Sequence, residues 1–372
     1  MTAKISIIKC QDYSPDLVFA AIKEAIDLIG GITNFIKPQS KVLVKPNLLL
    51  AKEPEYGITT HPQVVAAVVR ILKGINCQVL VGDGPSVWGN QIENVDEVYE
   101  RTGIKRICQE EGAQLVRFEK RRMREKFPLT TCLDECDYLL NIPKFKTHDF
   151  MILTAAIKNL FGLVSGTFKT ELHKKYFEPE GFARMLVDIY QEVKPNLTVI
   201  DGIVAMEGDG PASSGKLRNA GLILAGADCV ALDSVLALIM GLSPKDILTT
   251  KIAAERNLGI SDPNSIQILG EKLEDVLPEH FELPSTSLKR KIPRPVIEIA
   301  KKFIRFYPKV KHNNCNLCHA CIDACPNQAI TNKSHKIIID YAKCISCFCC
   351  QEACPESAIK VKKSALAKLI GL

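Results

Sequence analysis

Residues 41–47, KVLVKPN, and residues 61–85, HPQVVAAVVRILKGINCQVLVGDGP, decide the fold. The first holds a β-branched run, Lys41 to Lys45, that ends in a charge. The second carries apolar residues at helical spacing from His61 to Ile75, capped by Thr60, and closes with a strand from Gln78 to Gly82. Strand, helix and strand in this order make a β-α-β unit, whose two strands lie parallel in one sheet.

The pattern continues on both sides. Lys4 to Cys10, Ala113 to Phe118, Tyr138 to Ile142, Leu197 to Ile203 and Ala220 to Ala225 read as further strands. Helical spacing covers Pro15 to Ile29, Val95 to Glu111, Thr154 to Leu160, Glu180 to Val193, Ala231 to Met240 and Pro244 to Asn257. The expected fold class is α/β: a mainly parallel-sheet domain of one or two subdomains over residues 1–288. Its ligand site should lie beyond the carboxyl ends of the strands.

With 47% hydrophobic and 24% charged residues among 372, the chain is excluded from the disordered and coiled-coil classes. The longest apolar stretch, Ala220 to Leu242, is broken by Asp228 and Asp233, and no signal-peptide run opens the chain, so a cytoplasmic location is expected. Fifteen cysteines in such a chain point to reduced thiols and metal ligation rather than to a disulfide framework.

Eight of those cysteines form two runs of the spacing C-x2-C-x2-C-x3-C-P. One is Cys315, Cys318, Cys321 and Cys325 before Pro326, and the other is Cys344, Cys347, Cys350 and Cys354 before Pro355. This is the bacterial two-cluster ferredoxin pattern, in which the fourth cysteine of each run ligates the other run's cluster. Two 4Fe-4S clusters are expected, one on Cys315, Cys318, Cys321 and Cys354, the second on Cys344, Cys347, Cys350 and Cys325. Zinc knuckles would use the same thiolates but have no need of a third cysteine at this spacing. Ala329 to Asp340 reads as a hairpin between the two halves of a small α+β ferredoxin-like module, residues 312–360. Cys349 is off register and reads as a packed thiol, as do Cys10, Cys77, Cys108, Cys132, Cys136 and Cys229.

The net charge of +6 is unevenly spread: residues 1–288 carry −5, residues 289–311 carry +8, residues 312–359 carry −1 and the last thirteen +4. Basicity confined to a linker, 289–311, and a tail, 361–372, argues against nucleic acid as a partner. Pro295 to Phe306 and Ser364 to Leu372 read as amphipathic helices. Docking on the large domain is the favoured role for them, ahead of peripheral contact with a membrane surface.

Polar residues gather at the strand ends, in Lys45-Pro46-Asn47, Gly82-Asp83, Lys144 to His148, and Asp201-Gly202 followed by Glu207 to Pro211. Alternation would aim Lys144, Lys146 and His148 to one side, and an anion is their natural counterpart. Lys158 and Asn159 interrupt an apolar helix, so Lys158 needs a carboxylate such as Glu207, or an anionic ligand. Thr167 to His173 reads as a mobile loop over the cleft. Gly210 to Lys216 has the spacing of a nucleotide-binding loop, but Leu217 stands where Ser or Thr should hold magnesium, so that reading is rejected.

Val44 to Leu48, Thr60-His61-Pro62, Gly82-Asp83, Lys144 through His148, Leu153 to Gly162, Lys169 with His173, Asp201-Gly202-Ile203 with Glu207-Gly208, and Asp228 to Asp233 together resemble the bacterial and archaeal domain of unknown function family 362. The resemblance covers about residues 40–250. Family members often carry a C-terminal two-cluster ferredoxin module. The resemblance implies His148, His173, Lys146 and Glu207 as catalytic residues, and Lys45, Asn47, His61, Asp83, Lys144, Lys158, Asn159, Asp201 and Asp233 as binding residues. A more distant similarity to the lactate racemase domain implies a Lys/His-lined cleft. The expected function is an iron-sulfur oxidoreductase passing single electrons between an external donor or acceptor protein and an anionic small molecule. The alternatives are a non-enzymatic electron-transfer or redox-sensing protein that docks a partner, and a non-redox enzyme with structural clusters.

Overall fold

The computed structural model describes residues 2–85, 95–164, 168–212, 214–287 and 306–364. Its strands up to residue 270 are β1 (Ala3–Lys9), β2 (Lys41–Pro46), β3 (Gln78–Val81), β4 (Gln114–Leu115), β5 (Arg121–Arg124), β6 (Phe127–Thr130), β7 (Tyr138–Ile142), β8 (Lys144–His148), β9 (Ile152–Thr154), β10 (Leu197–Glu207), β11 (Lys216–Gly226) and β12 (Ile266–Gly270). Among the described residues, ten of these form one sheet in the order β12-β1-β11-β10-β7-β2-β3-β4, with β8 paired to β10 and β9. β2 lies parallel to β3 and β7, and β7 parallel to β10, so the β-α-β reading holds. Only β11 runs against its neighbours along this path, antiparallel to both β1 and β10.

Strand alternation sends side chains to two cores. Val42 and Val44 of β2 pack with Val18, Ile22 and Ile26 of helix α1 (Pro15–Leu28) and with Val64, Val65, Val68 and Leu72 of helix α2 (Pro62–Gly74). Leu43 points the other way, into the core that holds the helices Pro179–Val193 and Cys229–Ile239. Each fully buried aliphatic side chain adds about 1.5–3 kcal/mol. Layers of helix on both faces of a mostly parallel sheet leave the strand ends as the open edge.

Several elements differ from the sequence reading. The helix expected from Val95 to Glu111 is two helices, Val95–Arg101 and Ile104–Glu110, because Gly103 at φ 75° takes the left-handed conformation between them. The cap of α2 is His61, whose Nδ1 accepts from Gln63 N at 3.2 Å, and not Thr60. Thr60 Oγ1 instead donates to Ile142 O at 2.6 Å and accepts from Asn47 N at 2.8 Å, stitching β2 to β7. β10 and β11 form an eleven-residue-per-arm antiparallel hairpin, longer than the two short strands expected. Asp201 therefore sits within a strand rather than at its end, and Gly210 to Lys216 belongs to the hairpin connection. Phe168–Lys175, expected as part of a loop, is a helix.

In the C-terminal module, Ile330–Lys333 and Lys336–Ile339 pair as the expected hairpin. Phe306–Val310, read as the end of the linker, is a strand paired with Ile359–Lys363, which reaches into the segment read as the tail. The rest of the two amphipathic segments, 295–305 and 365–372, lies outside the described residues.

Candidate functional site

The end of β2 buries Lys45 completely, and its Nζ lies 2.7 Å from Asp83 Oδ1, just past the end of β3. Burial lowers the Lys45 pKa while Asp83 pulls it back up. Asp83 also accepts from Leu48 N at 2.8 Å and Gly84 N at 2.9 Å, so its carboxylate is fully engaged. Gly162 closes over the pair. A Cβ there would lie 2.1 Å from Asp83 Oδ1 and 2.6 Å from Lys45 Nζ, which only glycine avoids.

Next to the pair runs a chain of three amides. Asn141 Nδ2 donates to Ala156 O at 3.0 Å, Asn159 Nδ2 to Asn141 Oδ1 at 2.8 Å, and Asn47 Nδ2 to Asn159 Oδ1 at 2.9 Å. Asn47, Asn159, Asp83, Lys158, Lys169, His173, Thr154, Phe161, Gly84, Gly162 and Glu352 line one cavity of about 560 Å³. Lys169 Nζ is tied to the carbonyl of Gly84, and burial lowers its pKa to about 8. The Lys158 side chain makes no hydrogen bond or ion pair with any other described residue.

β8 carries Lys144, Lys146 and His148, all buried. Lys146 Nζ donates to Ile58 O at 2.6 Å, and burial, helped by the charge of Lys158, brings its pKa to about 7. Nδ1 of His148 accepts from Phe150 N at 3.0 Å, which places the proton on Nε2. That Nε2 lies 2.9 Å from Glu352 Oε1, at an angle outside hydrogen-bond geometry.

Glu352 comes from the C-terminal module, in the short helix Cys349–Glu352. It is 5% exposed and forms part of the cavity wall. Burial alone would raise its pKa, but His148 and Lys158 bring it down to about 2. Beside it, Gln351 Nε2 donates to Asp209 O at 3.2 Å, and Ser214 Oγ donates to Ile359 O at 3.4 Å, so the module is hydrogen-bonded onto the hairpin connection of β10 and β11.

Burial holds His148 down to about 4 and His173 down to about 3. In the unfolded chain an imidazole titrates near 6.5, so the unfolded state binds more protons and stability is lost as the pH falls below that value. At about pH 5 each shifted imidazole costs about 2 kcal/mol relative to neutral pH. His173 stacks on Phe182 at 4.5 Å, so His173→Phe keeps the ring contact. Urea midpoints at about pH 7.5 and about pH 5 should differ less in this variant than in the parent; an unchanged difference means His173 is not buried neutral.

The structure does not bring all expected residues to the cavity. Lys144 is paired with Asp201 at 2.9 Å and bonded to Tyr13 Oη at 2.7 Å, while the backbone N of His61 donates to Asp201 at 2.8 Å and its ring stacks on Tyr13 at 3.6 Å. These groups bond to one another and are not part of the cavity lining. Glu207 does not meet Lys158, because it is paired with Arg218 at 2.8 Å and accepts from Glu282 N. Asp233 accepts from Ala156 N and Ile157 N at 2.7 and 3.1 Å, anchoring the start of the helix that carries Lys158. Sequence reasoning missed Glu352. Its spacing between Cys350 and Cys354 shows a solvent loop as readily as a cavity wall.

Each set of four cysteines expected to share a cluster surrounds one space. Cys315, Cys318, Cys321 and Cys354 line a cavity of about 320 Å³, and Cys325, Cys344, Cys347 and Cys350 line another of about 320 Å³. Among the described residues no three His, Cys, Asp or Glu side chains close in on one point as a single metal ion requires. Cys318 is exposed and Cys315, Cys325 and Cys344 are half-buried, whereas Cys321, Cys347, Cys349, Cys350 and Cys354 are buried. Of the remaining thiols, Cys10, Cys77, Cys108, Cys132 and Cys229 are buried and Cys136 half-buried, as packing residues are.

Comparison with known proteins agrees with this arrangement. A model described as a 4Fe-4S dicluster domain matches residues 307–355, so the chain carries an iron-sulfur domain of the 4Fe-4S type. The thylakoid-associated protein sll1697 of Synechocystis sp. is 32% identical over 301 residues, spanning 76% of this chain and 92% of that protein. The apoprotein of lactate racemase from Thermoanaerobacterium thermosaccharolyticum superposes with a TM-score of 0.41 at 13% identity, over 65% of this chain and 58% of that one. No helix among the described residues is long and apolar enough to cross a membrane. The model described as Domain of unknown function (DUF362) matches residues 42–237, more than half of the sequence, and the chain belongs to that family.

Proposed function

We propose that the protein is an iron-sulfur oxidoreductase that passes single electrons to or from an anionic small molecule held in the cavity of Lys158, Lys169 and His173. The observation that carries this reading is Glu352, which stands two residues from two expected cluster ligands, Cys350 and Cys354, and is itself a wall of that cavity. Two [4Fe-4S] clusters, one in each cysteine ring, would supply one-electron chemistry. In this reading the ring that holds the exposed Cys318 would exchange electrons with an external redox protein, and the ring of Cys344, Cys347 and Cys350 would serve the cavity.

The chain's own residues do the rest. Lys158 and Lys169 bind the anion and the Lys45–Asp83 pair holds the floor. His173 in the wall and His148, which faces Glu352, are both neutral near pH 7 and would donate or accept the protons. Lys158→Met should abolish binding of the anion and turnover while leaving the visible and EPR spectra of the clusters unchanged. A panel of metabolites tested anaerobically by thermal stabilisation supplies the ligand. A protein that no small molecule stabilises is instead a non-enzymatic electron carrier, and activity indifferent to cluster reduction makes the clusters structural.

We place the protein in the cytoplasm. The thylakoid association of the Synechocystis relative favours a second reading, in which the basic segments 289–311 and 361–372 hold it on an anionic membrane surface. Flotation with anionic vesicles separates the two.

A further inference from the structure

The three linked amides have a fixed direction. A backbone carbonyl can only accept, so the Asn141 group facing Ala156 O must be its NH2, and Asn141 Oδ1 must therefore accept from Asn159 Nδ2. The same Asn159 nitrogen lies 3.5 Å from the carbonyls of Lys45 and Pro46, which fixes it independently. Asn159 Oδ1 then accepts from Asn47 Nδ2, and the relay ends on Asn47 Oδ1. That oxygen is buried and has no donor among the described residues, and Asn47 belongs to the cavity wall. Of the other wall groups, Thr154 Oγ1 can donate or accept and so does not choose, and Glu352 Oε1, a buried acceptor without a hydrogen bond, faces His148 Nε2 at 2.9 Å.

We infer that the ligand of this cavity is an organic anion that also carries an O–H or N–H donor, with its anionic end toward Lys158 and its donor on Asn47 Oδ1. This rests on the reading of the cavity as an anion site. A buried acceptor left unfilled is costly, so a ligand that cannot donate is rejected rather than merely bound less well.

The test uses the anaerobically prepared holoprotein and matched probes: glycolate against methoxyacetate, and glycerol 3-phosphate against propyl phosphate. Binding is measured by calorimetry in the parent and in Asn47→Ala. In at least one pair the hydroxylated probe should bind the parent about tenfold or more tightly than its partner. The preference should vanish in Asn47→Ala. Equal binding of the two members of each pair overturns the inference while leaving the anion site standing. A preference that survives in Asn47→Ala overturns the role of Asn47. Failure of all four probes to bind the parent removes the anion site and the inference together.

Discussion

Replacing Lys45 with methionine is expected to lower the unfolding free energy of the holoprotein by about 3–5 kcal/mol, read from urea denaturation followed by far-UV circular dichroism. The substitution keeps the length of the side chain and deletes one charge. What it leaves behind is Asp83, 2% exposed, with two backbone N–H donors and no cation within bonding distance. A carboxylate in that position must either stay charged without its partner or take up a proton, and both are expensive. Lys45→Met with Asp83→Asn removes both charges while the amide oxygen can still accept from a backbone N–H, and should recover part of the loss. A single substitution that costs less than about 1 kcal/mol would show that the pair is solvated in the folded chain.

The second large effect concerns the clusters. Cys325→Ala is expected to lower the iron content from about eight to about four per chain and to remove the cluster of the other cysteine run. Its EPR spectrum should match that of Cys344→Ala, with which it shares a cavity, and differ from that of Cys315→Ala, its neighbour in the same run. The reverse grouping would mean that each run holds its own cluster. On the proposal that this cluster is the one that serves the cavity, Cys325→Ala should also stop electron delivery there, whereas the anion should still bind.

Much of the candidate site was legible because its signals are local. Lys45 and Asp83 end strands whose β-branched runs are plain, and burial of charges at that edge of the sheet follows from the β-α-β pattern. Lys158 stood out as a charge in an apolar helix. Its counter-charge did not, since Glu207 is engaged with Arg218 and the facing carboxylate comes from Glu352, 194 positions along the chain. The same limit hid the cap of α2. Thr60 has the right chemistry for a cap, but β7 claims its hydroxyl and leaves the task to His61.

From sequence alone one could read the parallel β-α-β units and the four-cysteine sets, because a period of two or 3.6 and a spacing of two or three residues act within a few positions of the chain. Tertiary structure alone decided that β11 runs antiparallel, that Lys144 and Asp201 form a closed cluster away from the cavity, and that a ferredoxin loop supplies the cavity's carboxylate. Those outcomes depend on which surfaces bury against each other, and a buried charge takes the partner that packing brings to it, whatever its distance along the chain.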